Sequence, residues 1–358
     1  MKTSKAVVAF RTDASTTIGT GHVMRCLALA ESLTELGFRC VFISAALPGN
    51  LNSFIRKSGF ECIEINIIEN WTPKRGGSSA ESQEKDANCF LEKCKHLNIF
   101  LIIVDHYSFD KPWENMVFSY TKCILVIEDM PSIAHSCHII VDSTVEENLL
   151  YQDLVPESTI KLLGPKFALL RKEFQGRQDV LKRQYKKDKY KLLINMGGTD
   201  PDNITFEILK ALPINVEKKF SLTFIVGKGF QQFTSLKNSL EIKFPNASLK
   251  CGVKNMSKEM AHSDLAIGAA GTTAWERCAM GLPTIQLILA ENQRLVAEKT
   301  TKNGAALTLR NLTELGDLLS NLNEEKLMKM AQSAVRLVDA RGTERVREEI
   351  RKLYNANC

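Results

Sequence analysis

AFRTDASTTIGTGH, residues 9–22, and LLINMGGTDPDN, residues 192–203, open the two halves of this 358-residue chain in the same way. Each begins as an apolar run, passes through a glycine-containing loop and continues into sequence of helical period. That is how a doubly wound α/β domain starts. Outward from the first stretch, runs 6–10, 40–44, 99–104, 123–127 and 138–141 read as buried strands. Outward from the second, runs 191–195, 221–226, 247–251, 264–267 and 284–287 do the same. Segments 22–36, 79–96, 201–212 and 291–303 carry the helical period between them. The alternation predicts two parallel sheets, each covered by helices. The expected domains are 1–170 and 191–340, joined by a basic connector over 171–190 and followed by a C-terminal helix, 341–358, that packs back across the pair.

Length supports the division, because 358 residues exceed what one hydrophobic core usually serves. Apolar residues at 44% and charged residues at 25% exclude a disordered chain. The net charge of +6, from 47 basic and 41 acidic residues, suits an anionic small substrate. A nucleic-acid partner is not expected. Lys182, Arg183, Lys186, Lys187, Lys189 and Lys191 are mixed with Asp179 and Asp188, and no aromatics interleave with a basic stripe. No run reaches the ~18 apolar residues that span a bilayer, and MKTSKAVVAF, residues 1–10, lacks the apolar core and cleavage site of a signal peptide. A cytoplasmic protein without stable membrane association is expected. The 10 cysteines form no C-x-x-C pair, so reduced core thiols are expected rather than disulfides or zinc. His135, Cys137 and His138 form the one cluster with ligand chemistry and have no partner pair elsewhere.

Five loops carry polar residues where a strand hands over to a helix, at the carboxyl edge where open α/β sheets bind ligands. Gly19-Thr20-Gly21-His22 is neither a dinucleotide fingerprint, since Met24 stands where a third glycine belongs, nor a P-loop. What remains is a glycine turn presenting one histidine at a helix N-terminus, or simply a surface histidine in a first turn. Met196-Gly197-Gly198-Thr199-Asp200-Pro201 permits close backbone approach, with Asp200 as a candidate N-cap and Pro201 in the first helical turn. Gly268-Ala269-Ala270-Gly271-Thr272-Thr273-Ala274-Trp275-Glu276 leaves room above a helix whose free N–H groups suit phosphate. Thr273 and Glu276 also fit a capping box. If phosphate binds there, Glu276 is expected to turn outward to sugar hydroxyls such as those of ribose. Asp105-His106-Tyr107 and Asn292-Gln293 lie on the same edges, where two amides could read N-acetyl groups or cap a helix.

Together and in order, these pieces resemble the UDP-2,4-diacetamido-2,4,6-trideoxy-β-L-altropyranose hydrolases of pseudaminic acid biosynthesis. The matching stretches are residues 11–15 with 18–25, Val104-Asp105-His106-Tyr107, residues 196–200, Gly271-Thr272-Thr273-Ala274-Trp275-Glu276, Asn292-Gln293, and Gly342-x-Glu344-Arg345-Val346. The resemblance implies a GT-B fold, two Rossmann-like domains facing a central cleft. It implies His22 as catalytic base, Tyr107 and Asn292 beside the sugar, and Glu276 at the uridine ribose. Asp13, Gly19, Gly21, Arg25, Gly197, Gly198, Gly271, Thr272, Thr273 and Gln293 are the remaining motif positions expected at the substrate. No metal and no cofactor are implied. The chain departs from the family's usual pattern at Glu128, His138 and Ser143-Thr144.

The expected reaction is attack of water on the anomeric carbon while UDP departs. A GT-B glycosyltransferase, with an acceptor hydroxyl in place of water, is the chief rival, since one scaffold serves both chemistries. A non-catalytic UDP-sugar sensor is the second, and it would have no use for His22 or Tyr107.

Overall fold

The computed structural model describes residues 6–66, 79–176, 185 and 188–357. Half of the basic connector, including Lys182, Arg183, Lys186 and Lys187, lies outside the described residues. The chain forms two compact units, Met1–Arg171 with Arg341–Cys358, and Lys172–Ala340.

The first unit alternates β1 (Val7–Thr12), α1 (Gly21–Glu35), β2 (Arg39–Ala45), α2 (Asn52–Lys57), β3 (Glu61–Ile65) and α3 (Ala80–Cys94). It continues through β4 (Ile99–Asp105), α4 (Lys111–Val117), β5 (Cys123–Glu128), β6 (Ile139–Asp142) and β7 (Ile160–Leu163). The strands form one sheet in the order β3-β2-β1-β4-β5-β6-β7, all neighbours parallel. Every residue of β1 and β4 is buried, as expected of central strands covered on both faces. The strand order reverses between these two. Their register sets Thr12 beside Asp105, so the loops leaving both strands emerge side by side.

The second unit runs β8 (Tyr190–Asn195), α5 (Ile204–Ala211), β9 (Phe220–Val226), α6 (Phe233–Lys243), β10 (Ser248–Cys251) and α7 (Met256–Ala261). It continues through β11 (Leu265–Ala269), α8 (Thr272–Ala279), β12 (Thr284–Leu287), α9 (Arg294–Lys302), β13 (Ala306–Thr308), α10 (Leu315–Ser320) and α11 (Glu324–Leu337). Its sheet is again parallel, in the order β10-β9-β8-β11-β12-β13, and reverses between β8 and β11. The loops at 196–200 and 270–273 therefore leave neighbouring strands.

The last helix, α12 (Gly342–Asn357), belongs to the first unit. Val346 and Ile350 enter the core of that unit, and Tyr354 sets its ring edge against Phe38 and Phe100. Gly342 lets the helix start against the chain, since a Cβ there would lie 2.3 Å from the Ala168 carbonyl oxygen. Among the described residues no helix is long and apolar enough to cross a membrane.

Candidate functional site

In the first unit, the reversal between β1 and β4 gathers a polar cluster. His22 is the second residue of α1, and Arg25 lies one turn further along the same helix. Asp105 ends β4, and both its oxygens accept hydrogen bonds from Arg25, Nε and Nη2 each at 2.6 Å. This pair is buried. Burial would raise the Asp105 carboxyl, but the guanidinium prevails and holds it below its usual range. Arg25 Nη1 also lies 3.5 Å from Asp129, just beyond β5. Asp129 in turn accepts the Tyr107 hydroxyl at 2.7 Å. The edge of one ring meets the face of the other between Tyr107 and His22, with centroids 4.4 Å apart.

His22 is the reactive-looking member. Its Nδ1 is buried, lacks a hydrogen-bond partner among the described residues and lies 4.0 Å from Asp105, whose oxygens are occupied by Arg25. Burial lowers the imidazole pKa first; Asp105 opposes this and Arg25 adds to it, and the net direction is down. A neutral ring at pH 7 follows. The leading cause is desolvation. Tyr107 is held protonated, because burial and the neighbouring Asp129 push its phenol up. With its proton committed to Asp129, its oxygen can act toward a ligand only as an acceptor.

Two motif residues of this unit stand behind that front. Asp13, expected at the substrate, is fully buried, and its carboxylate is consumed inside the protein. It accepts Arg11 Nη1 at 2.7 Å, the Ala45 amide at 2.7 Å, Ser44 Oγ at 3.2 Å and His106 Nε2 at 3.2 Å. Arg11 is held from its other side by Asp86. His106 accepts the Ser108 amide on Nδ1, so its proton sits on Nε2, toward Asp13. Asp13 thereby ties the loop after β1 to the turn carrying Tyr107. Arg25, likewise expected at the substrate, has its fork on Asp105. Gly19 fits its loop by conformation, with φ at +82° and open space where a Cβ would stand. Gly21 opens α1.

His135, Cys137 and His138 are each engaged with protein groups. His135 Nδ1 lies 2.6 Å from Glu114, and Nε2 lies 3.4 Å from Glu128, one of the departures from the pattern named above. Cys137 is buried in the core, and His138 accepts the Ile124 amide. Among the described residues no group of three or more ligating side chains could hold a metal ion. Burial alone would lower the His135 pKa, but the two glutamates overcome it and hold it at about 10. The sign of the linkage follows. A folded pKa above the unfolded ~6.5 gives stability that is complete below that value and lost as pH rises toward 10. We expect the urea midpoint to fall between pH 7 and 10. His135→Gln should flatten that slope and, by removing the cation between two buried glutamates, cost about 3–5 kcal/mol at pH 7. A wild-type profile parallel to the variant's would remove the histidine from this role.

In the second unit, the loops at the reversal are shaped by backbone approach. Gly197 takes a φ of +103°, and Gly198 packs so tightly on Gly227 that a Cβ on the latter would lie 1.9 Å from the Gly198 carbonyl oxygen. Asp200 and Pro201 do not begin α5. Asn203 is the capping position, and Asp200, at φ +42°, reaches over the turn to accept the Ile204 and Thr205 amides at 2.9 Å each. The helix starts three residues later than expected because one carboxylate caps it from outside.

The capping-box expectation at Thr273 and Glu276 also yields. Gly271 occupies the cap and Thr272 begins α8, so Thr273 is already the second helical residue and the capping residue itself has no side chain to cap the end. Glu276 lies one turn in and is 8% exposed rather than turned out to solvent. Gln293 approaches the same end, its Nε2 3.7 Å from where a Gly271 Cβ would be and its Oε1 accepting the Leu289 amide. Asn292 precedes it in a single 3-10 turn, half-buried.

Two doubly wound parallel sheets, each with its polar loops at the strand-order reversal, define a GT-B-fold protein. Residues 192–348 match the glycosyltransferase family 28 C-terminal domain. Over its length the chain is similar to the Campylobacter jejuni UDP-2,4-diacetamido-2,4,6-trideoxy-β-L-altropyranose hydrolase, at 25% identity across 83% of this chain and 97% of that one. The resemblance carried by the motifs thus extends over most of the sequence. An uncharacterised protein of Methanocaldococcus jannaschii is 26% identical across 80% of this chain, which spans only 56% of that longer relative. Among solved structures, Acinetobacter baumannii MurG superposes with a TM-score of 0.69 at 18% identity, covering 97% of this chain and 99% of its own.

Proposed function

We propose that the protein hydrolyses UDP-2,4-diacetamido-2,4,6-trideoxy-β-L-altropyranose to UDP and the free 2,4-diacetamido-2,4,6-trideoxy-L-altrose. The observation carrying this reading is His22, a buried imidazole kept neutral at the β1/β4 reversal beside Tyr107. With Asp105 nearer Nδ1, the favoured tautomer has its proton there, leaving the Nε2 lone pair as the base for a water molecule. Tyr107 accepts a donor such as a substrate acetamido N–H. The amides at the start of α8 take the diphosphate, whose charge grows as the glycosidic bond breaks. Glu276 accepts the ribose hydroxyls, and Asn292 and Gln293 meet the sugar. The similarity to a hydrolase over most of the chain favours water as acceptor; the family 28 match keeps a transferase as the second reading.

Incubating the protein with the UDP-sugar and no acceptor tests this. Stoichiometric UDP release is expected, and in oxygen-18 water the label should enter the sugar. Label in UDP, or no release without an added acceptor, would overturn hydrolysis at the anomeric carbon. A separate expectation concerns Glu276→Ala. Loss of charge-assisted bonds to ribose should weaken UDP binding by about 1.5–3 kcal/mol for each bond. The melting temperature should stay near that of the wild type, since Gly271 rather than Thr273 is the capping residue of α8 and the two do not form a capping box with Glu276. Calorimetry with UDP alongside a melting curve reads both quantities.

A further inference from the structure

The residue after Glu276 on α8 is a charged group that no motif singled out. Arg277 is 2% exposed, and its guanidinium donates to Thr284 Oγ1 at 3.2 Å, Thr273 Oγ1 at 3.2 Å and the Ala269 carbonyl at 2.7 Å. All three acceptors are neutral. The buried arginines of the first unit are each matched by carboxylates, Arg11 by Asp13 and Asp86, and Arg25 by Asp105. Among the described residues no carboxylate lies within ion-pair distance of Arg277. Burial pushes its pKa down to about 10, and the fields of Cys278 and Glu276 offset only part of that cost.

The direction of the side chain decides where this charge sits. Its partners at 273 and 269 lie four and eight residues earlier in the chain, so the guanidinium folds back to the N-terminal end of α8, beneath the loop at 269–273. The strand above is built around it. Gly268 has no positive φ that would call for glycine; instead, a Cβ there would lie 2.6 Å from Arg277 Nη1 and 3.0 Å from the Asn195 carbonyl oxygen. Space for the guanidinium is what that position supplies.

We propose that Arg277 is the buried counter-charge of the bound diphosphate, a positioning residue that acts through the loop and the first turn of α8 without touching the ligand. This rests on the reading that UDP binds at α8. A buried cation lacking an anionic partner costs stability in the free protein. An anion arriving at the helix end restores the balance, adding its attraction to that of the free amides.

UDP and uridine are titrated by calorimetry into wild type, Arg277→Met and Arg277→Lys, and the free proteins are melted. For Arg277→Met the UDP affinity should fall by roughly 10- to 100-fold, the size of an interaction across several ångströms at intermediate dielectric. Uridine, which lacks the phosphates, should bind within about 2-fold of its wild-type affinity. The ligand-free variant should melt at or above the wild-type temperature, and Arg277→Lys should keep most of the preference for UDP over uridine. Equal loss for both ligands, or a lower melting temperature with the preference intact, would make Arg277 a prop for the strand end and overturn the proposal. If the Met variant does not fold, Arg277→Gln, which keeps amide donors for Ala269 and Thr284, carries the same comparison. A wild-type protein that binds neither ligand refutes the UDP site itself, which is a different outcome.

Discussion

His22→Asn should bind UDP as the wild type does and release it from the UDP-sugar about 100- to 10,000-fold more slowly, the range that a positioned general base contributes. Asparagine preserves polarity and approximate size, so the packing against Tyr107 and the start of α1 is disturbed little. The imidazole lies in the first unit, while the amides assigned to the diphosphate lie in the second, which is why turnover and UDP affinity should separate. The pH profile gives an independent check. Burial keeps the wild-type imidazole below its usual ~6.5, so the rate should hold through neutrality and decline only in more acidic solution. The variant should lack that acidic limb. Turnover within a few-fold of wild type would strip His22 of the role and turn attention to Asp129, whose carboxylate already holds the Tyr107 hydroxyl.

Much of this site can be read from strand ends. A buried parallel strand is a run of apolar residues, and the polar loop that follows it lies at the sheet's carboxyl edge, which singles out the loops carrying His22, Tyr107, Glu276 and Asn292; the roles expected of these residues come from the resemblance alone. Edge strands are harder to read. β3, whose sequence is ECIEI, buries only Cys62 and Ile65, and β7 and β13 are four and three residues long, so none leaves an apolar run. Partners brought together by the fold were also hidden. Asp129 and Tyr107 are 22 residues apart and meet because β4 and β5 are neighbours. Asp13 is expected at the substrate only through the resemblance; the partners that occupy its carboxylate, Ser44, Ala45 and His106 beside Arg11, are brought to it by the fold from more than thirty positions away. Arg277 carries no signal in the sequence beside Glu276; only the fold shows that it is buried without a carboxylate partner.

Arg25→Met should reveal whether Arg25 serves the substrate or the base. In the structure its fork is spent on Asp105, so the direct loss is that of a buried ion pair. The stranded carboxylate should cost about 3–5 kcal/mol of stability, visible as a large drop in the urea midpoint. The more informative effect falls on His22. Arg25 disfavours the imidazolium and also neutralises Asp105, which lies 4.0 Å from Nδ1 and favours it. Removing the guanidinium takes away the first influence and releases the second, and both changes raise the His22 pKa. A raised pKa means more imidazolium at a given pH, so activity at pH 6–7 should fall and recover as the solution is made alkaline. The acidic limb should move to higher pH while KM changes little. Arg25→Lys, which retains a charge against Asp105, should keep the limb near its wild-type position and guards against a Met variant too unstable to assay. An unmoved limb accompanied by a steep rise in KM would instead place Arg25 on the substrate, as its motif position suggested, and would leave Asp105 as a structural carboxylate with no hold on the base.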